Sequence, residues 1–184
     1  MVCKQLSENL LCFVCEQRLI LCIDTRPNMN AFFYQEPVSS LITNFKYHQD
    51  LHAAKVLSKY AAQVLSGMWQ QYDAIIPMPV HRLRLVQRGM HCTDFLAKTI
   101  MKYSNNPLPI IKTYGLRQIY SAPQQLLGAR ARATNINSSH FSLPELSMQR
   151  YLVFDDVITS GATWRAFQKH APDKLFLCSL ASAS

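Results

Sequence analysis

The segment Tyr151-Leu152-Val153-Phe154-Asp155-Asp156-Val157-Ile158-Thr159-Ser160-Gly161-Ala162-Thr163 constrains the fold more than any other stretch of the chain. Its first four residues are apolar and predict a buried strand. Two adjacent carboxylates follow where that strand should emerge from the sheet. A hydroxyl-rich turn with one glycine then leads into a helical pattern over 162–170. In open α/β sheets ligands bind outside the carboxyl ends of the strands. At the start of a helix the backbone N–H groups are unpaired and the helix dipole is positive, so a phosphate fits there. Thr159, Ser160 and Thr163 offer hydroxyl donors, and Gly161, followed by Ala162, allows close backbone approach. Asp155 and Asp156 can accept hydrogen bonds from neighbouring hydroxyls, whereas like charge would repel a phosphate from them. The order of groups therefore implies a ligand with vicinal hydroxyls and a terminal phosphate, as in ribose 5-phosphate. The plainer alternative is an Asp-Asp strand end followed by a capped helix, with Thr159 or Ser160 as the cap. A Walker A loop is excluded because no Gly-Lys-Ser/Thr is present. A haloacid-dehalogenase-like phosphatase would need an Asp-x-Asp near the start of its domain, and the chain has none there.

The rest of the chain supplies the sheet around that strand. Tyr72 to Pro79 (YDAIIPMP) reads as a short buried strand stopped by prolines, which cannot donate to a ladder. Leu108 to Lys112 and Lys174 to Leu180 read as two more strands. Helical spacing appears over 38–47, where Val38, Leu41, Ile42 and Phe45 align, and in a longer stretch carrying Leu51, Ala54, Leu57, Ala61, Val64, Leu65 and Met68. Residues 93–103 repeat the pattern with Phe95, Leu96, Ile100 and Met101 inward. Residues 115–140 hold Arg117, Arg130 and Arg132 without periodicity, and a loop of that length is usually functional or mobile. Strands alternating with helices predict an α/β domain with a mainly parallel sheet flanked by helices. Asp24-Thr25-Arg26-Pro27-Asn28 is turn-like and ends a cysteine-rich start. The chain thus divides into a Cys-rich segment over residues 1–30 and an α/β domain over residues 31–184.

Composition narrows the class. Hydrophobic residues make up 49% and charged residues 16%, enough apolar material for a core and contrary to disorder. The formal net charge of +8 favours polyanionic partners such as nucleic acid or phosphorylated metabolites. No stretch reaches the roughly 18–20 continuous apolar residues of a membrane helix, so no membrane insertion is expected. Leu10 to Ile23 is interrupted by Glu16, Gln17 and Arg18 and lacks the order of a signal peptide, which predicts a cytoplasmic protein.

A second segment is basic: Ile76-Pro77-Met78-Pro79-Val80-His81-Arg82-Leu83-Arg84, then Gln87-Arg88-Gly89. A turn that ends a strand and carries His81, Arg82 and Arg84 can meet a pyrophosphate, since guanidinium forks match its oxygens. A solvated basic face is the alternative. Together the two segments carry a resemblance. Phe154 to Thr163 is similar to the signature of type I phosphoribosyltransferases, and the Pro-x-Pro-x-His-Arg-x-Arg stretch resembles the ComF family of competence proteins. Phe45-Lys46-Tyr47, Pro123-Gln124 and Arg132 with Asn135 add to the likeness, which covers most of residues 33–180. Met90-His91-Cys92 departs from it, because the family commonly has an aromatic residue, Asn and Gln after its Arg-Gly.

The resemblance implies a type I phosphoribosyltransferase-like fold that binds phosphoribosyl pyrophosphate with Mg²⁺. Asp155 and Asp156 would contact the ribose hydroxyls, and Thr159, Ser160, Gly161, Ala162 and Thr163 the 5′-phosphate. It also implies a link to natural competence and DNA uptake. A non-catalytic module binding single-stranded DNA, alone or with other competence proteins, is the alternative; Arg82, Arg84, Arg88, Arg117, Arg130 and Arg132, with Tyr114 and Tyr120, suit it. Members of the family often begin with zinc-binding Cys-x-x-Cys pairs. Cys12 and Cys15 form one such pair here, with Cys3 and Cys22 as candidates to complete a four-cysteine site. Cys92 and Cys178 stand apart. Cys178 reads as a small core residue, and Cys92 lacks the flanking pattern of a nucleophile.

Overall fold

The computed structural model describes residues 12–24, 29–65, 67–113, 117, 141–143 and 145–183. In chain order the elements are α1 (Phe13–Ile20), β1 (Asn30–Phe33), α2 (Val38–His48), α3 (Leu51–Leu65), β2 (Ala74–Pro77), α4 (Arg82–Arg88), α5 (Cys92–Tyr103), β3 (Tyr151–Ile158), α6 (Ala162–Gln168) and β4 (Leu175–Ser182). The four strands form one sheet in the order β1-β4-β3-β2, and every pairing is parallel. This is the α/β fold that the sequence predicts, consistent with a phosphoribosyltransferase-like domain.

Side chains alternate across a strand with period two, and the sheet uses both faces. Ile75, Leu152, Phe154, Cys178 and Leu180 point into one core with the buried sides of α1, α2, α3 and α5. Ala74, Ile76, Tyr151, Val153 and Leu175 point the other way, against Ala166 and Phe167 of α6 and against Phe141. Strands covered on both sides read as continuous apolar runs, which is why YLVF and AIIP show no polar alternation. In α3 the fully buried Ala53, Ala54 and Ala61 leave room for close packing, and Val56, Leu57 and Leu65 fill the layer. Asp50 starts that helix: its Oδ1 accepts from the backbone N–H of His52 at 3.0 Å and of Ala53 at 3.1 Å, an N-cap. Phe45 of α2 and Phe95 of α5 meet with ring centroids 5.5 Å apart. The candidate site lies where β3 leaves this double-sided core.

Four features differ from the sequence reading. Residues Asn30–Phe33 form a strand at the sheet edge, though it is only four residues long. The expected strand Leu108 to Lys112 shrinks to a single parallel bridge between Ile75 and Ile110, with Ile75 N–H donating to Pro109 O and Ile111 N–H to Ile75 O, both at 2.9 Å. Pro107 and Pro109 have no N–H to extend it. The basic stretch is a helix, α4, rather than a turn. Finally, β3 does not stop at Phe154; it runs through both aspartates to Ile158, with Asp155 beside Ser179 and Ile158 beside Ser182. Among the described residues, no helix is long and apolar enough to cross a membrane.

Candidate functional site

The last four residues of β3 are half-buried, where the first four are buried. The strand is thus emerging from between its helical layers as Asp155 and Asp156 are reached. Each aspartate is turned back on its own strand: Asp155 Oδ1 accepts from Asp156 N–H at 2.9 Å, and Asp156 Oδ1 from Val157 N–H at 2.7 Å. Beyond Ile158, Thr159 and Ser160 are exposed, and the chain turns at Gly161 with φ 67°. A left-handed residue with no Cβ is what lets the loop fold tightly into α6. Ser160 Oγ accepts from Ala162 N–H at 3.4 Å, Ala162 is buried, and Thr163 is half-buried. The five residues of the expected phosphate loop therefore lie together beside the aspartates, around one tight turn.

Lys46 comes from α2. Its Nζ lies 2.8 Å from Asp156 Oδ2, and both side chains are only 15% exposed. The apolar side of α2 (Val38, Leu41, Ile42 and Phe45) is buried, which carries the next residue, Lys46, to the border of the layer. The end of α2 is also tied to α4: Arg88 stacks over the Tyr47 ring at 5.6 Å, and Gln49 Nε2 donates to Arg88 O at 3.1 Å. Arg117 approaches from elsewhere. It is buried, stacks on Phe141 at 5.4 Å and bridges to it in antiparallel fashion. Burial first, then the neighbouring Arg84 charge, push the Arg117 pKa down to about 10, while Asp155 opposes the shift. Two carboxylates thus meet two cations, Lys46 and Arg117, at the end of β3, with Arg84 beside Arg117.

The electrostatics of the aspartates are unequal. Burial, and next the Asp156 charge, raise the Asp155 pKa to about 7; Lys46 and Arg117 act the other way. Asp156 carries the direct ion pair. Below them sits His91, the first residue before α5. Its Nδ1 accepts from Asp94 N–H at 3.2 Å, which assigns the proton of the neutral ring to Nε2, 3.4 Å from Thr113 Oγ1. Burial holds the His91 pKa below the usual range, against the pull of Asp94 and Asp156. His91 therefore serves the helix start in neutral form. Burial also pushes the Cys92 thiol up, with Arg88 opposing, so this cysteine has none of the thiolate character of a nucleophile.

The other predicted residues distribute as follows. His81 is spent on local structure, its Nδ1 accepting from Leu83 N–H at 3.1 Å to cap α4. Arg82 is exposed, and Arg84 is half-buried toward Arg117. Cys3 lies outside the described residues, as do Tyr114, Tyr120, Pro123, Gln124, Arg130, Arg132 and Asn135. Cys15 and Cys22 are buried in the main core beside Leu19. The Cys22 thiol donates toward Arg18 O and Glu36 O, both at 3.3 Å, and burial raises its pKa. Among the described residues no three metal-binding side chains come together, and Cys3, the fourth cysteine of the expected set, lies outside them. Cys178 is fully buried in the core.

Lys46 and Arg117 are the residues whose place in the site the sequence did not disclose. The signal for Lys46 was present as the Lys-Tyr pair following an apolar helical stripe, but its direction depends on how α2 packs.

No protein-family model matches the chain. The chain is 27% identical over 145 residues to competence protein F of Haemophilus influenzae. That alignment covers 74% of this chain and 62% of the relative, so the chain spans about three fifths of the relative's length.

Proposed function

Taking the chain as a member of the ComF family, which its kinship with competence protein F supports, we propose that it binds phosphoribosyl pyrophosphate together with Mg²⁺ and acts in natural competence. The observation that carries the reading is the junction of β3 and α6: two carboxylates on an emerging strand, then a glycine-hinged hydroxyl loop, with Lys46, Arg84 and Arg117 close by. Asp155 and Asp156 accept hydrogen bonds from the two ribose hydroxyls. Backbone N–H groups and hydroxyls of residues 159–163 hold the 5′-phosphate, and the turn at Gly161 lets the backbone come close. Arg84 and Arg117 face the more negative end of the donor and stabilise charge that builds on a departing pyrophosphate. Magnesium, a hard ion that prefers oxygen ligands, suits the donor's oxygens beside the carboxylates and supplies charge neutralisation there. The chemistry such a site serves is pentosyl transfer by positioning and charge stabilisation, without an enzyme nucleophile.

Calorimetric titration of phosphoribosyl pyrophosphate with Mg²⁺ tests this, with the Trp164 fluorescence beside the loop as a cross-check. Binding should weaken by at least about 100-fold in the folded Asp155→Asn, Asp156→Asn double variant. Unchanged affinity in that variant overturns the ribose assignment.

A second reading is favoured by one feature: α4 makes a basic rim, with Arg82 exposed and Arg88 stacked over the Tyr47 ring. In it the rim takes single-stranded DNA without catalysis. Affinity for an oligonucleotide that falls steeply with salt, in a protein that ignores the pyrophosphate donor, would select it.

A further inference from the structure

Both oxygens of Asp156 are occupied within the protein. Oδ1 takes the N–H of Val157 at 2.7 Å, and Oδ2 takes the ammonium of Lys46 at 2.8 Å. Asp155 is in turn approached by the charges of Lys46 and Arg117. The carboxylate pair therefore faces compensating cations from two separate parts of the chain, one on α2 and one packed on Phe141. An exposed ion pair contributes little and is readily exchanged, but this one is shielded on both sides. A divalent cation seeking Asp156 would have to displace a close ammonium or sit against it, and Mg²⁺ gives up its water reluctantly.

We propose that Lys46 is a positioning residue: its ammonium takes the flank of Asp156 that a free divalent cation would otherwise bind, and fixes that carboxylate as an acceptor for a sugar hydroxyl. A divalent ion then enters the site only in company with a ligand that brings its own oxygens. The inference rests on reading Asp155 and Asp156 as the ribose-contacting pair and goes beyond it by giving the upstream Lys-Tyr pair a task.

The test uses Mn²⁺ alone, titrated into the full chain and followed by loss of the free-ion paramagnetic resonance signal. Lys46→Met should bind Mn²⁺ at least about tenfold more tightly than the unaltered protein. Lys46→Arg, which keeps the charge, should not. The gain should disappear in Lys46→Met combined with Asp156→Asn. A Lys46→Met affinity equal to that of the unaltered protein, or a gain that survives Asp156→Asn, overturns the proposal. Should Lys46→Met fail to fold by circular dichroism, Asp156→Asn alone decides: unchanged Mn²⁺ affinity supports the shielding, and a loss shows that Asp156 already holds the ion and overturns it. No donor enters this titration, so its failure is distinguishable from failure of the phosphoribosyl pyrophosphate reading.

Discussion

Asp155 and Asp156 are neighbours in sequence, yet among the described residues the direct ion pair is made by Asp156, with Lys46. Burial, and next the Asp156 charge, push the Asp155 pKa up to about 7. The linkage follows from the direction of the shift. The folded pKa lies above the unfolded value, so the native state holds the extra proton between them. That stability is fully present below the unfolded pKa and is lost as pH rises through about 7. Asp155→Asn removes the effect. Relative to its difference from the parent at pH 4, the variant should gain about 4 kcal/mol by pH 8.5, measured by urea denaturation at the two pH values. A gap that does not change with pH would show that Asp155 titrates alike in the folded and unfolded chain. At this scale the sequence was legible for the carboxylates and the loop, because order along one short segment specifies them. Lys46 and Arg117 were not legible as site residues, since their approach depends on α2 packing through Phe45 and on Arg117 lying over Phe141. His81 has a task its residue type did not disclose, since its Nδ1 caps α4.

Among the elements, the β3–α6 turn is the most sensitive to a small change. A Cβ at Gly161 would sit 3.1 Å from Arg165 Nη1, and φ is 67°. The arginine tip can move, so the main cost is the left-handed backbone. Gly161→Ala should lower stability by about 1 kcal/mol and should weaken donor binding more than that cost alone implies. Calorimetry on the folded variant checks the binding, and donor affinity equal to that of the parent would separate the turn from the site. Helices α2, α3, α5 and α6 were legible because apolar spacing and burial coincide, as in Val38, Leu41, Ile42 and Phe45. The edge strand β1 was not, because four residues provide no period to read. The strand expected at 108–112 overrated its apolar run and underrated Pro107 and Pro109. The continuation of β3 beyond Phe154 carries no apolar signal, because at the carboxyl edge the backbone ladder with β4 persists after the apolar face has ended.

Across the whole molecule, one core cluster joins Cys15, Leu19 and Cys22 to β1, α2, α3 and α5. The second cluster, on the other sheet face, is smaller and depends on α6 and Phe141. The parallel order β1-β4-β3-β2 was only partly legible. Alternation of strands and helices implied parallel pairing, but the neighbours of each strand follow from crossovers that no local pattern encodes. Because the candidate site joins α2, the end of β3 and Arg117, a ligand that holds it should stabilise the entire domain. Donor at 100 times its dissociation constant should add about 2.7 kcal/mol, read as a rise in the midpoint of thermal or denaturant unfolding. A donor that binds without moving the midpoint would mean that the site persists in the unfolded chain, contrary to its construction.

Asp73 accepts from the backbone N–H of Arg150, 77 positions away, at 2.8 Å, and β2 aligns with β3 immediately after that contact. A long loop must therefore close before the central strand finds its place, a slow event compared with helix formation. Helices α2, α3 and α5 can form from local sequence, but Asp155 and Asp156 reach Lys46 only when β3 docks. The cluster at the end of β3 is thus complete only once that distant contact has closed, and a copy lacking it keeps its helices but leaves Lys46 without Asp156.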